Sequence, residues 1–477
     1  MRFPAEGAWS AGGTEVEREL LGFEGAAALD AAGVADLYQA HHFGGLARVA
    51  ALLGMDVDVV GGEGPWLKLA DGSRLLDCHA SNGAVPFGHN HPAILRAAAR
   101  ALESGNVGLP GPVPSRLVAA FCHDLVAIAP EGLSRAMLYN SGAEAIEGAL
   151  VTASLARGRR ELFVGFEGGF HGKTAGARSV GGIPNERQGF PEWARTERLP
   201  YGDLERANRF LEKKGSKVAA VVVEPLQSNA GVRIPPQGFL SGLQQACRKA
   251  GALLIVDEVS TGLGRTGLLF ECQREQVVPD LLCLAKALSG GIVPIGAVLV
   301  NEGLAKLLGN PRVVSHFATT FSGAAVSMAV ALEVVRLIAQ ERLAERAAER
   351  GAQLEEGLRA LQARHPVLVQ DVRGRGLLWG LELGDPATLP GRFLPKGFGD
   401  FLNNKVGGSV AIAMQRYTIR HHRVLLAATA ADRRVVRLFP PLTSEPADIE
   451  HLLQALERSL TDGLTAWLRT LTDRDHK

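Results

Sequence analysis

The sequence predicts an α/β protein: a large, mainly parallel sheet covered by helices on both faces, flanked by a small α+β domain built from both chain ends. Three observations predict this. Between about Pro92 and Val314, apolar runs ("RAMLYN", "RELFVGF", "VAAVVVEP", "ALLIVDEV", "LLCLAKA", "IGAVLV") alternate with helical periodicity, the pattern of strands buried on both faces. Near the N-terminus, "GPWLKLADGSRLLDCHA" alternates apolar and polar residues as half-exposed strands do. Towards the C-terminus, "VLVQDVRGRGLLWGLEL" reads as a strand pair and "VVRLFPPLTSEPADIEHLLQALERSL" as strand, loop and final helix. The division that follows is 1–91 for the N-terminal segment and part of the small domain, 92–363 for the large domain, and 364–477 for the rest of the small domain.

Taken in order, residues 1 to about 13 are small and polar, as a frayed end is, and the stretch from Thr14 to Gly54 carries helical periodicity in short pieces. Asp71-Gly72 is a hairpin turn between two strands. After the apolar runs, one long amphipathic helix is expected over about Ala324 to Ala363, to which no chemistry is assigned. A Gly/Pro-rich stretch from Asp385 to Gly399 separates the strand pair from the last strand. There is no internal repeat.

Bulk properties narrow the function. The chain has 477 residues, 46% hydrophobic and 21% charged, as ordinary globular proteins do. A net charge of +1 gives no electrostatic case for nucleic acid or an anionic membrane, so small molecules are the expected partners. The five cysteines are scattered, with no two at metal-ligand or redox-pair spacing, as reduced thiols in a cytoplasm are. No segment has the length and apolarity of a signal peptide or a membrane span, so a soluble, cytoplasmic protein is expected.

The chemistry concentrates at strand ends. Strands that read as consecutive end in Glu224, in Asp257-Glu258, and, at "LLCLAKALSGG", in Lys286. Ligands in parallel sheets sit at the carboxyl ends of strands. One strand-end acid can cap a helix and one lysine can snorkel to solvent, but convergence of acid, acid and amine suits a site that holds an aromatic nitrogen cation and frees a lysine to form a Schiff base. Pyridoxal phosphate meets these requirements. Its phosphate needs a cup of backbone amides, and "LYNSGAEAIEGAL" supplies a strand passing through Ser141, Gly142 and Ala143 into a helix N-terminus. The Gly-Lys-Thr of "GFEGGFHGKTAG" is not a nucleotide-binding loop, because the preceding glycine is one residue too close.

The ordered set "GHNHP", "NSGAEA", "FHGKT", "VVVEPLQ", "DEVSTGLGRTG", "PDLLCLAKALSGG", "TTFSG" and "VVRLFPPL" resembles the class III, ω-amino acid type aminotransferases among the fold-type I pyridoxal-phosphate enzymes. The similarity is greatest to the putrescine and ornithine/acetylornithine branch and runs from about Leu46 to Leu460. The resemblance implies that Lys286 bears the cofactor and moves the proton, and that Asp257 pairs with the ring nitrogen. It places Val259 on one face of the ring and Phe170 on the other, beside His171, with Ser141, Gly142 and Ala143 at the phosphate. Thr320 would reach in from a second subunit, which makes a homodimer part of the site. Glu224 and Arg437 would form an ion pair across the substrate pocket, opening to admit a carboxylate and closing for amines without one.

Three departures from the family pattern stand out. Ser260 occupies the place of a glutamine that reaches the cofactor's phenolic oxygen in many relatives, leaving that contact to a water or to Gln227. The Asn-Pro expected after "TTFSG" is Ala324-Ala325. Asn82 replaces an aromatic at the pocket mouth, which opens the substrate range to bulkier amines or aldehydes. The reading is therefore an aminotransferase working by a ping-pong mechanism through Lys286. The alternatives are another pyridoxal-phosphate reaction on the same scaffold (aminomutase, racemase or decarboxylase) and a catalytically silent binding or scaffold homologue.

Overall fold

The computed structural model describes residues 21–109, 113–158, 160–310, 317, 319–385, 409–429 and 431–471. Most of the Asp385–Gly399 stretch and the first twenty residues lie outside them. Seven strands form the central sheet: Leu133–Tyr139, Leu162–Phe166, Arg195–Leu199, Val218–Val223, Leu253–Asp257, Leu281–Leu284 and Gly296–Asn301. In space, Leu133–Tyr139 lies at one edge, followed by Gly296–Asn301, Leu281–Leu284, Leu253–Asp257, Val218–Val223, Leu162–Phe166 and Arg195–Leu199. All neighbours pair in parallel except Gly296–Asn301, which runs against both of its own.

The apolar runs are continuous because both faces are buried. Leu253, Ile255, Leu281 and Cys283 face a core with Ile146 and Ala149 of the helix Gly142–Ala156. Leu254, Val256, Leu282 and Leu284 face the opposite core with Leu243 and Met328. Each such side chain contributes about 1.5–3 kcal/mol by leaving water. Arg195–Leu199 is the one strand of this sheet that its sequence conceals. It lies at an edge and is mostly half-buried, so Arg195, Thr196, Glu197 and Arg198 replace the apolar run.

Both chain ends meet in the smaller sheets. Val59–Glu63, Trp66–Leu69 and Arg74–Asp77 form an antiparallel set turning at Asp71-Gly72, and Val424–Leu425 from the far end adds to Arg74–Asp77 in parallel. A second set joins Val369–Arg375, Leu378–Leu383, Val435–Leu438 and Ala427–Ala428, all antiparallel. The long helix expected over Ala324 to Ala363 is two helices, Ala325–Gln340 and Leu343–Arg364. Arg342 between them is left-handed, with φ 50°. No glycine or proline marks the break, and Glu341 and Arg342 are exposed, so the amphipathic pattern runs through it unbroken. No helix among the described residues is long and apolar enough to cross a membrane.

Candidate active site

Six strands of the central sheet end on the same side, and residues that follow them converge there. Leu253–Asp257 delivers Asp257, buried at 4% exposure. Its Oδ1 accepts from Val259 N at 3.0 Å and its Oδ2 from His171 Nδ1 at 2.7 Å. Burial alone would lower the pKa of His171, but the hydrogen bond and charge of Asp257 more than reverse this and hold the imidazole above its ordinary value.

Lys286 follows Leu281–Leu284, and its backbone is left-handed at φ 38°, a conformation costly for any residue with a Cβ and characteristic of functional sites. The Nζ donates to Ser260 Oγ at 2.5 Å. Burial pulls its pKa down to about 8; Arg437 adds to this, while Asp257 and Glu224 oppose it. A lysine poised there exchanges a proton near neutral pH, unlike a solvated one.

Ser141 caps the helix Gly142–Ala156 by accepting from Glu144 N at 3.1 Å, and Asn140 N donates to the Glu144 carboxylate at 2.9 Å. A Cβ on Gly142 would stand 3.0 Å from Val259 and 3.3 Å from Ala285, so a larger residue would force these side chains to shift for the turn to lie against the strand ends. Gly172, at φ 122°, presses so close that a Cβ would fall 2.5 Å from that of Ala143. A cavity of about 350 Å³ opens over this floor. Its lining includes Ser141, Gly142, Ala143, Phe170, His171, Asp257, Val259, Ser260 and Lys286, the residues the sequence nominated for the cofactor save Thr320, together with others such as Ala84, Asn140, Ser289 and Pro294. The cavity joins a positive helix end and a buried acid through a lysine, which fits a group that is phosphorylated at one end and cationic at the other.

A second chamber, of about 290 Å³, shares Phe170 and Lys286 with the first and is lined by Asn82, Lys173, Ile183, Glu186, Asn229 and Ala431. Arg437, from the strand Val435–Leu438, is buried beside it. Its Nη1 donates to Ser228 Oγ at 3.2 Å and Asn229 Oδ1 at 2.9 Å, and its Nη2 to Asn82 Oδ1 at 2.8 Å.

Several expectations need correction. Glu224 and Arg437 form no ion pair: the Glu224 carboxylate accepts from Phe170 N at 2.9 Å, and the guanidinium is held by neutral oxygens. Burial pushes Glu224 up to about 7, against the charge of His171. Glu258 turns away from the cavity, taking hydrogen bonds from Glu271 N, Cys272 N and Thr261 Oγ1. Gln227 does not line the cavity, and its Nε2 is used by Glu167 O. Thr320, expected to serve a second subunit's site, is not among these corrections: it is exposed and lines neither chamber of its own chain, and the adjacent Thr319 accepts from Asn140 at the cavity wall. Sequence reasoning missed Ser228 and Asn229; their only signal was their place in the loop "EPLQSNAG" that begins with Glu224.

The family described as aminotransferase class-III matches residues 51–460. Among solved structures, the ornithine aminotransferase of Toxoplasma gondii is 28% identical, with 85% of this chain and 91% of that one covered and a TM-score of 0.74. An amine transaminase from an uncultivated Pseudomonas species, solved in its pyridoxal-phosphate-bound form, is 28% identical over 85% and 95%, TM-score 0.75. The acetylornithine aminotransferase of Elizabethkingia anophelis is 26% identical over 91% and 99%, TM-score 0.74.

Proposed function

The chain belongs to the class-III aminotransferase family, a pyridoxal-phosphate-dependent one of fold-type I, and we propose that it moves an amino group between glutamate or a terminal amine and an oxo acid or aldehyde in two successive half-reactions at Lys286. One observation carries this reading. Lys286 lines the cavity that Asp257 and the helix N-terminus share, with its amine at 2.5 Å from Ser260 and its pKa brought to about 8.

Pyridoxal phosphate supplies the carbonyl that receives the amino group and the ring that accepts electrons as the substrate's C–H bond breaks. The chain's own residues do the rest. Ser141, Gly142 and Ala143 bind the phosphate with the helix end, and Asp257, its second oxygen fixed by His171, keeps the ring nitrogen charged. Val259 and Phe170 confine the ring, and Ser260 orients the Lys286 amine. Lys286 Nζ takes the proton from the substrate carbon and returns it, and its neighbour Arg437 receives a substrate carboxylate. A second copy of the chain completes the phosphate site with Thr320; the exposure of that residue next to Thr319 at the cavity wall supports this.

The test is the first half-reaction alone. Glutamate added to the cofactor-loaded protein without acceptor should release about one 2-oxoglutarate per site and stop. Release only when an acceptor is present would contradict two separate half-reactions.

A further inference from the structure

Arg437 is a buried cation without an acid at hydrogen-bonding distance. Its bonds run to one hydroxyl and two amide oxygens, its Nε has no hydrogen-bond partner, and its further support is the Phe439 ring, 5.2 Å from the guanidinium carbon, and the more distant charge of Glu224. Burial lowers its pKa to about 10, which leaves it charged at neutral pH. An aspartate at either asparagine position would have the same size and bind the guanidinium more strongly. The amides hold the group and leave its charge in place.

The backbone under Asn82 is built for this contact at a cost. Ala80, Ser81, Asn82 and Gly83 are consecutively left-handed, at φ 43°, 50°, 58° and 83°. Glycine adopts that conformation freely and asparagine tolerates it, whereas alanine and serine do not. Asp77 holds the entry to the turn, with Oδ1 accepting from His79 N at 2.9 Å and Ala80 N at 2.8 Å and Oδ2 bonded to His89 Nε2 at 2.9 Å. Strain maintained beside a substrate chamber marks a geometry that the surroundings over-determine.

We infer that Asn82 and Asn229 are positioning residues that set specificity: they hold Arg437 without neutralising it, so the chamber accepts a substrate carboxylate directly and disfavours amines that carry none. This rests on the transaminase reading above. A carboxylate is a better acceptor for a guanidinium than an amide oxygen, so exchange of one for the other is favourable, and no ion pair has to break first. A cationic amine without a carboxylate offers the guanidinium no acceptor and meets its like charge, opposed by Glu186 on the chamber wall and by Glu224 nearby.

The experiment uses the cofactor-loaded protein and two variants, Asn229→Asp, which adds a charge at constant size, and Asn82→Gly, which removes an amide and keeps the left-handed turn. Glutarate, a dicarboxylate that cannot react, is titrated calorimetrically, and the half-reactions with glutamate and with 1-phenylethylamine are timed. Asn229→Asp should weaken glutarate by roughly tenfold to a hundredfold, the fold-change of one hydrogen bond to a charged group. It should also raise KM for glutamate more than it lowers kcat, and improve the half-reaction with the amine. Asn82→Gly should weaken glutarate without improving the amine, because the charge stays. A parent that does not bind glutarate, unchanged glutarate affinity in both variants, or loss of both half-reactions together in Asn229→Asp overturns the inference. Should the parent take an amino group from neither donor, the transaminase reading fails, and the glutarate titration still decides whether the amides hold an anion-ready guanidinium.

Discussion

The two chambers that meet at Lys286 are built differently. In the inner one, the buried acid Asp257 is bonded to the His171 imidazole and to a backbone amide, and the residues come from strand ends of a single sheet. In the outer one, the buried cation Arg437, carried by a C-terminal strand, is held by neutral groups from the N-terminal turn and the loop after Val218–Val223. Rigid strand ends suit chemistry that must be placed to within fractions of an ångström, and loops gathered from both chain ends suit a boundary that decides what enters. On the proposed function, the difference would separate reaction type from substrate choice within one site.

Breaking the inner chamber should cost most. Lys286→Ala removes the proposed proton carrier and should lower the half-reaction rate by roughly 10²–10⁴-fold from that loss alone, measured by rapid mixing with saturating glutamate. Asp257→Asn should follow, at about 3–4 kcal/mol of transition-state stabilisation in kcat/KM, as when one preorganised electrostatic partner is lost. It should also let the His171 pKa fall, which nuclear magnetic resonance of the imidazole reads directly. Gly142→Ala drives a methyl toward Val259 and Ala285, and at about 1–3 kcal/mol of overpacking it should weaken cofactor binding more than it lowers Tm.

The smallest effect sharpens the boundary between the chambers. Glu224 rises from an ordinary 4.5 to about 7 in the folded protein, so between those values the folded state holds a proton that the unfolded state has lost. Stability from this group is therefore present below pH 4.5 and falls as pH rises towards 7. Glu224→Gln should flatten that fall in urea titrations across the interval, and should also remove the charge that partly offsets the effect of burial on Arg437.

The inner chamber was largely legible in the sequence, because each of its groups follows an apolar run whose burial sets where the strand ends. Val218–Val223 stops at Glu224-Pro225, and Leu281–Leu284 stops just before Lys286. The outer chamber was not. Arg437 was found, but its partners depend on which of several polar residues in "EPLQSNAG" points back, and spacing along a loop does not encode that. The left-handed run from Ala80 to Gly83 has no local signal beyond Asn82-Gly83, since Ala80 is held by Asp77 and both it and Ser81 adopt the conformation against their own preference. The break at Arg342 was hidden for a related reason: a surface turn that keeps the amphipathic phase leaves no trace in hydrophobic periodicity.

The central claim is that Lys286 bears the cofactor, and one measurement reaches it without any assumption about substrate. The protein loaded with pyridoxal phosphate is reduced with borohydride, digested, and mapped by mass spectrometry. The account predicts a pyridoxyl label on the peptide containing Lys286, absent from Lys286→Ala, while the variant still binds free cofactor through Ser141, Gly142 and Ala143. A label on another lysine, or none on a protein that has taken up the cofactor, would contradict it.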